Sequence, residues 1–226
     1  MSAAATEVEV VFLIADLAGY TALTEAHGDA HAAQAIGRYT EIVQAVLQPS
    51  AQLIERVGDE VLVVAAEPAA AVRTALALRE AVEREPLFPT VRSGIHAGTA
   101  VKQGNSYFGN ALNLAARVAA HARAGQILCT ERVRASAGAV DGVLYQPLGA
   151  VRFKNVVDPV DVFEVVAGAT LGVAMVLDPV CRMQVRPDTA PARLPFAERT
   201  FYFCSFDCAR AFSERPDHYA ATAPSA

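Results

Sequence analysis

Val10-Val11-Phe12-Leu13-Ile14-Ala15-Asp16-Leu17-Ala18-Gly19-Tyr20-Thr21 joins a continuous apolar run to a single carboxylate and then to a glycine turn. A run of this kind reads as a strand buried on both faces. A carboxylate at the end of such a strand needs a cation, because an isolated buried charge is too costly to keep. The Gly and Thr that follow open a helical pattern, so the free N–H groups of residues 17–21 would face the same spot and suit phosphate oxygens. The stretch therefore predicts a metal–nucleotide site, against the simpler alternative that Asp16 caps a turn or helix.

Outward from this strand, residues 22–47 carry Ile36, Tyr39, Ile42, Val43, Val46 and Leu47 at helical spacing and predict one long helix, stopped by Pro49. Residues 53–57 and 61–65 are short apolar runs joined by Gly58-Asp59-Glu60, a hairpin signal. A second helix is predicted over 69–83 and a strand over 91–98. The order β-α-β-β-α-β is that of a ferredoxin-like layer, an α+β fold with two helices on one face of an antiparallel sheet. That topology lays the hairpin tip beside the first strand, so Asp59 can meet Asp16. Paired carboxylates at neighbouring strand ends suit two divalent ions about 3.5–4 Å apart, although Gly-Asp in a hairpin is by itself an ordinary turn.

Residues 104–117 run from a loop into a helix on which Asn113 and Arg117, four apart, share a face. An amide beside a guanidinium suits a phosphorus centre that gains negative charge; a surface Asn and Arg making local hydrogen bonds is the plainer reading.

The chain has 226 residues, 53% of them hydrophobic, and a formal net charge of −5, with mean hydropathy +0.27. These values fit a well-buried globular protein with room for one full domain and a smaller unit. Basic residues are few and dispersed, which gives no electrostatic footprint for nucleic acid. Residues 1–6 lack a basic segment and a signal-type apolar core. The longest uncharged apolar run, 165–177, is too short to span a bilayer. A cytoplasmic protein is expected, without a membrane partner, whose four cysteines serve as thiols or metal ligands rather than disulfides.

Together, residues 12–21, 57–63, 94–98 and 107–117 resemble the successive signature motifs of class III nucleotide cyclases, over roughly residues 8–166. The resemblance implies a head-to-tail homodimer with active sites at its interface, acting on a nucleoside triphosphate. Asp16 and Asp59 of one protomer would hold two Mg²⁺ or Mn²⁺ ions. Asn113 of the other would orient the ribose, and Arg117 would stabilise the pentavalent phosphorane. Leu17, Ala18, Gly19, Tyr20 and Thr21 would bind phosphates. Lys154 sits where the family often places a Lys on the terminal phosphates, with Asn155 in place of the usual Gly. In the base pocket, Glu55 replaces the Lys of adenylate cyclases and Ser106 their Asp or Thr. An ionised carboxylate only accepts, so Glu55 matches guanine N1–H and its amino group while Ser106 donates to O6. A pocket that has drifted is an equally simple account, and Arg56 beside Glu55 is a candidate to neutralise it. A catalytically silent cyclase fold that only binds nucleotide or dimerises is the competing reading.

Beyond residues 168–174, read as a linker after a cyclase domain over 1–167, the character changes. Asp178-Pro179-Val180-Cys181-Arg182-Met183 and Tyr202-Phe203-Cys204-Ser205-Phe206-Asp207-Cys208 resemble a YHS domain over 175–226, a small treble-clef-like module of metal-handling proteins. A unit of this size often relies on a metal staple. Cys181, Cys204 and Cys208 could converge on Zn²⁺ or Cu⁺, or else form a packed knuckle. For a fourth ligand, His218, water and, less readily, Asp178 are available. His27, His31, His96 and His121 show no ligand spacing, and Cys129 reads as a core residue.

Overall fold

The apolar run becomes β1 (Thr6–Ala18), two residues longer than its carboxylate alone would suggest, with Val11 to Ala15 all buried. The computed structural model describes residues 5–168 and 175–222. β2 (Ala51–Val57) and β3 (Glu60–Ala65) form the hairpin, and β4 (Thr90–Gln103) pairs antiparallel with β1 along its whole length, from Thr6↔Lys102 to Ala18↔Thr90. The order β2-β3-β1-β4 is the ferredoxin-like arrangement expected, and it sets the hairpin beside β1 with Ala15 opposite Val61. β4 extends well past residues 91–98 because polar Thr99, Lys102 and Gln103 continue a ladder after the apolar signal has stopped.

The helix predicted over 22–47 is two helices, α1 (Tyr20–His27) and α2 (Asp29–Val46). Gly28 separates them at φ 82, ψ 166, ending one and starting the other in a backbone shape that other residues rarely adopt. α2 and α3 (Pro68–Glu83) cover one sheet face, burying Ile36, Tyr39, Val72 and Leu78 against Val11, Leu13 and Val63. On the opposite face α4 (Asn110–His121), entered through the short β5 (Ser106–Phe108), packs Ala111, Ala115 and Ala119 on Phe12 and Ile14. β6 (Ile127–Thr130), α5 (Glu131–Ala137), β7 (Val143–Val151) and β8 (Val160–Ala167) extend the sheet beyond β4. Cys129 is fully buried there, opposite Phe163, as a core residue.

Most of the expected linker, residues 169–174, lies outside the described residues. Two ribbons follow, β9 (Val176–Leu177) with β10 (Gln184–Val185) and β11 (Ala192–Phe196) with β12 (Arg199–Phe203), then α6 (Phe206–Glu214) and α7 (Pro216–Thr222). Phe212 anchors this unit, its ring 4.9 Å from Phe201 and 5.2 Å from Phe203. The unit packs on the first domain: Val180, Cys181 and Met183 share one apolar core with Leu23 and Phe88, and the Gln184 amide donates to the Phe88 carbonyl at 3.0 Å.

Candidate active site and metal centre

Asp16 leaves β1 two residues past Ile14 and faces β4, where register sets Arg92 opposite. The guanidinium grips the carboxylate with both arms, Nε to Oδ1 at 2.6 Å and an Nη to Oδ2 at 2.8 Å. The cation that a buried strand-end carboxylate demands is therefore already supplied by the chain, so burial of Asp16 does not by itself require a metal. Asp59, half-buried at the hairpin tip, meets the same charges. Burial, and after it the Asp16 carboxylate, raise its pKa, against the pull of Arg92. Glu60 joins the group, raised by burial and then by Asp16 and Asp59. Behind them the Tyr39 hydroxyl is fully buried with no hydrogen-bond partner among the described residues. Crowded carboxylates beside an unsatisfied hydroxyl are hard oxygen donors that fit Mg²⁺ or Mn²⁺.

Gly19 turns the chain at φ 94 and α1 starts at Tyr20, with Leu23 N–H closing the first helical bond to the Gly19 carbonyl at 2.9 Å. The amides of Tyr20, Thr21 and Ala22 thus lack intrahelical acceptors. A Cβ on Gly19 would come 2.4 Å from the Cβ of Arg182, so the C-terminal unit rests directly on this turn. Asn113 is exposed and Arg117 half-exposed on α4, on one face as expected, and no ion pair or side-chain hydrogen bond forms at either among the described residues. A cleft of about 580 Å³ opens against α2, lined by Tyr20, Ile36, Thr40, Arg56 and Gly58, and none of Asp16, Asp59, Asn113 or Arg117 lines it.

In the C-terminal unit, β12 delivers Cys204 and α6 delivers Cys208, with Ser205 capping the helix by accepting the Cys208 N–H at 3.1 Å. Cys181 comes from the facing knuckle, its sulfur 3.4 Å from that of Cys204, which lies 3.6 Å from that of Cys208. All three are free and buried. The fourth member corrects the expectation: His27, the last residue of α1, places Nε2 3.5 Å from the Cys204 sulfur and 3.7 Å from that of Cys208. Asp178 is instead a frame residue, its carboxylate accepting the N–H groups of Val180 at 2.8 Å and Cys204 at 2.7 Å. His218 meets the Tyr219 ring edge-on in α7 and is not among the four grouped ligands. Hydrogen bonds from Cys181 and Cys204 hold the Cys208 thiol far below its ordinary pKa, whereas hydrogen bonds from Cys204 and Cys208, with burial, push Cys181 up.

The family model for the catalytic domain of adenylate and guanylate cyclases matches residues 2–155. The chain belongs to that family. A second model, the YHS domain, matches residues 176–223. Among similar proteins, a pH-sensitive adenylate cyclase of Mycobacterium tuberculosis is 33% identical over 165 residues, 72% of this chain and 42% of that protein. The chain spans less than half the length of the curated relatives it matches. Of solved structures, an adenylate/guanylate cyclase/hydrolase from Silicibacter pomeroyi aligns at TM-score 0.63 and 29% identity over 72% of this chain and 99% of that one. The adenylyl cyclase CyaB of P. aeruginosa shares the fold at TM-score 0.65 and 18% identity, over 76% of this chain and 100% of that one.

Against the cyclase pattern, the residues assigned to the base sit apart. Glu55 is exposed on edge strand β2 and Ser106 exposed on β5, with β3, β1 and β4 between them and no hydrogen bond joining them. Arg56 does not neutralise Glu55, since it donates to the Gly58 carbonyl at 2.7 Å. Lys154 is exposed in a turn where Asn155 adopts φ 60, the left-handed shape the family's Gly would take and one that Asn tolerates. Arg92 and His27 were invisible as site residues, because strand register and the packing of a distant helix placed them.

Proposed function

We propose that this protein converts a nucleoside triphosphate to its 3′,5′-cyclic monophosphate and pyrophosphate at the interface of a homodimer, with a cyclase domain over 1–167 and a metal-binding unit over 175–226. The convergence of Asp16 and Asp59 carries this reading. Asp16 and Asp59 would hold two Mg²⁺ or Mn²⁺ ions, and these would supply the Lewis acidity that activates the ribose 3′-hydroxyl and neutralises the leaving pyrophosphate. The amides at the start of α1 and Lys154 receive phosphate oxygens. Asn113 of the second protomer orients the ribose, and its Arg117 stabilises the charge that builds on phosphorus.

Two observations favour a site completed in trans. Asn113 and Arg117 have no partner among the described residues, and apolar Val57, Val101 and Phe108 stay 64%, 41% and 54% exposed in the single chain. No helix among the described residues is long and apolar enough to cross a membrane; its triphosphate substrate and free thiols suit the cytoplasm. Two features pull the base in opposite directions: relatives are named adenylate cyclases, while Glu55 is complementary to guanine. Assayed side by side, Glu55→Lys should move preference from GTP toward ATP.

The decisive experiment mixes variants. Asp59→Ala and Arg117→Ala should each abolish turnover with Mn²⁺. Mixed in equal amounts and allowed to exchange, half the dimers are heterodimers with one intact site of two, so about a quarter of wild-type activity should return. Wild-type protein that turns over neither ATP nor GTP in Mn²⁺ at high concentration sinks the enzyme reading in favour of a silent nucleotide-binding fold.

A further inference from the structure

We propose that His27 of the cyclase domain and Cys181, Cys204 and Cys208 of the C-terminal unit form one closed tetrahedral Zn²⁺ site that clamps α1 to that unit. The four ligand atoms all lie within 4.8 Å of one another. With Zn–S of about 2.3 Å and Zn–N of about 2.0–2.1 Å, a regular tetrahedron has S···S edges of about 3.8 Å and S···N edges of about 3.6 Å. Four of the six edges are 3.4 and 3.6 Å for sulfur pairs and 3.5 and 3.7 Å for sulfur to Nε2, and the two from Cys181 to Cys208 and His27 lie within 4.8 Å. Three buried soft thiolates and a half-buried imidazole, four protein ligands in all, describe a structural rather than catalytic ion.

A route to the site is present. A cleft of about 490 Å³ between α1 and helices α6 and α7 is walled by Ala22, Ala26, Asp207 and Cys208. Coordination needs thiolates, so the remaining thiol protons pass to solvent as the ion enters. No electron transfer is involved.

The location gives the ion leverage. α1 is only eight residues long, and its two ends touch the C-terminal unit: Gly19 under Arg182 at one, His27 among the thiols at the other. A helix this short has little stability alone, so zinc at His27 fixes its position, and with it the amides of Tyr20 to Ala22. Zinc occupancy is thereby transmitted to the phosphate-binding turn. That last step rests on the cyclisation reading; the site itself does not.

The test uses the full chain and reads the ion directly. Cobalt(II) titration of wild-type protein should saturate at one ion per chain with the strong visible bands of a four-coordinate S₃N centre. His27→Ala should shift those bands and weaken Zn²⁺ binding at least tenfold in competition with a chromophoric chelator. His27→Cys should restore tight binding with more intense thiolate charge-transfer bands, and His31→Ala, whose ring lies 5.3 Å from His27, should leave both unchanged. Zn²⁺ should slow amide hydrogen exchange in α1 about tenfold in wild type and not in His27→Ala. An unaltered cobalt spectrum and zinc affinity in His27→Ala overturns the proposal, as does equal protection of α1 by zinc in both proteins. A protein that passes these tests yet cyclises no nucleotide upholds the clamp and removes only the cyclase reading.

Discussion

The carboxylate group around Asp16 and the thiol group around Cys204 are two answers to gathering negative charge in one place. At the first, the acids are half-buried and one is already gripped by Arg92, with Asp59 crowded by Asp16. At the second, four donors from three parts of the chain close a tetrahedron inside a single protomer. An open oxygen site leaves room for substrate and a second subunit, whereas a closed sulfur site leaves room for nothing but its ion. The carboxylate group and the thiol group are thus joined by one short helix, α1.

The sharpest way to break the open site without touching its ligands is through Gly94. It sits in mid-β4 between Ile14 and Leu128, and a Cβ there would lie 2.1 Å from the Ala119 backbone nitrogen. Strand and helix backbones meet face to face, and neither gives way cheaply. Gly94→Ala should cost about 4 kcal/mol or more, a loss on the order of 10 °C in Tm, by pushing α4 and its Asn113 and Arg117 off the sheet. A thermal melt of the variant with an unchanged midpoint would show that α4 is not held as tightly as the open site requires.

The closed site breaks at Asp178, which binds no ion but gathers the knuckle. Its carboxylate, fully buried, accepts from Val180, Cys204 and, more weakly at 3.4 Å, Cys181. Asp178→Ala leaves those donors unpaired and should destabilise the chain by about 2–3 kcal/mol in urea, together with a clear loss of zinc affinity. Loss of stability with full zinc affinity would mean that the ion, not the carboxylate, shapes the knuckle.

How much of this was legible follows from which forces are local. The apolar run of β1, the Gly58-Asp59 hairpin and the period of α3 are written in adjacent residues, so the ferredoxin-like core and the meeting of Asp16 with Asp59 could be read directly. Gly28 was missed because a lone glycine inside a helical period is tolerated as often as it breaks one. Arg92 meets Asp16 only through the antiparallel register of β4 on β1, and no local spacing links residues 76 positions apart. His27 stands 177 positions from Cys204 and no spacing rule links them. Only the docking of the C-terminal unit on α1 does so, and that is decided by apolar surfaces shared between Leu23, Val180 and Met183.

The smallest expected effect separates crowding from function at the open site. In the unfolded chain at pH 7 Asp59 is ionised. In the fold its pKa is raised, first by burial and then by Asp16, so its contribution favours folding below the unfolded carboxylate value and is lost as pH rises through the raised one. At neutral pH, without divalent ions, the charged Asp59 therefore burdens the folded state. Half exposure screens that burden to about 0.5 kcal/mol. Asp59→Asn should accordingly melt about 1–2 °C above wild type in chelator at pH 7 and gain nothing below about pH 3, where the carboxyl is protonated in both states. Adding Mn²⁺ should reverse the order, because wild type gains binding energy by mass action and the amide gains less. An Asn variant that melts below wild type in chelator would mean the two acids do not crowd each other, and the contrast between an open, charge-loaded site and a closed, satisfied one would lose its first half.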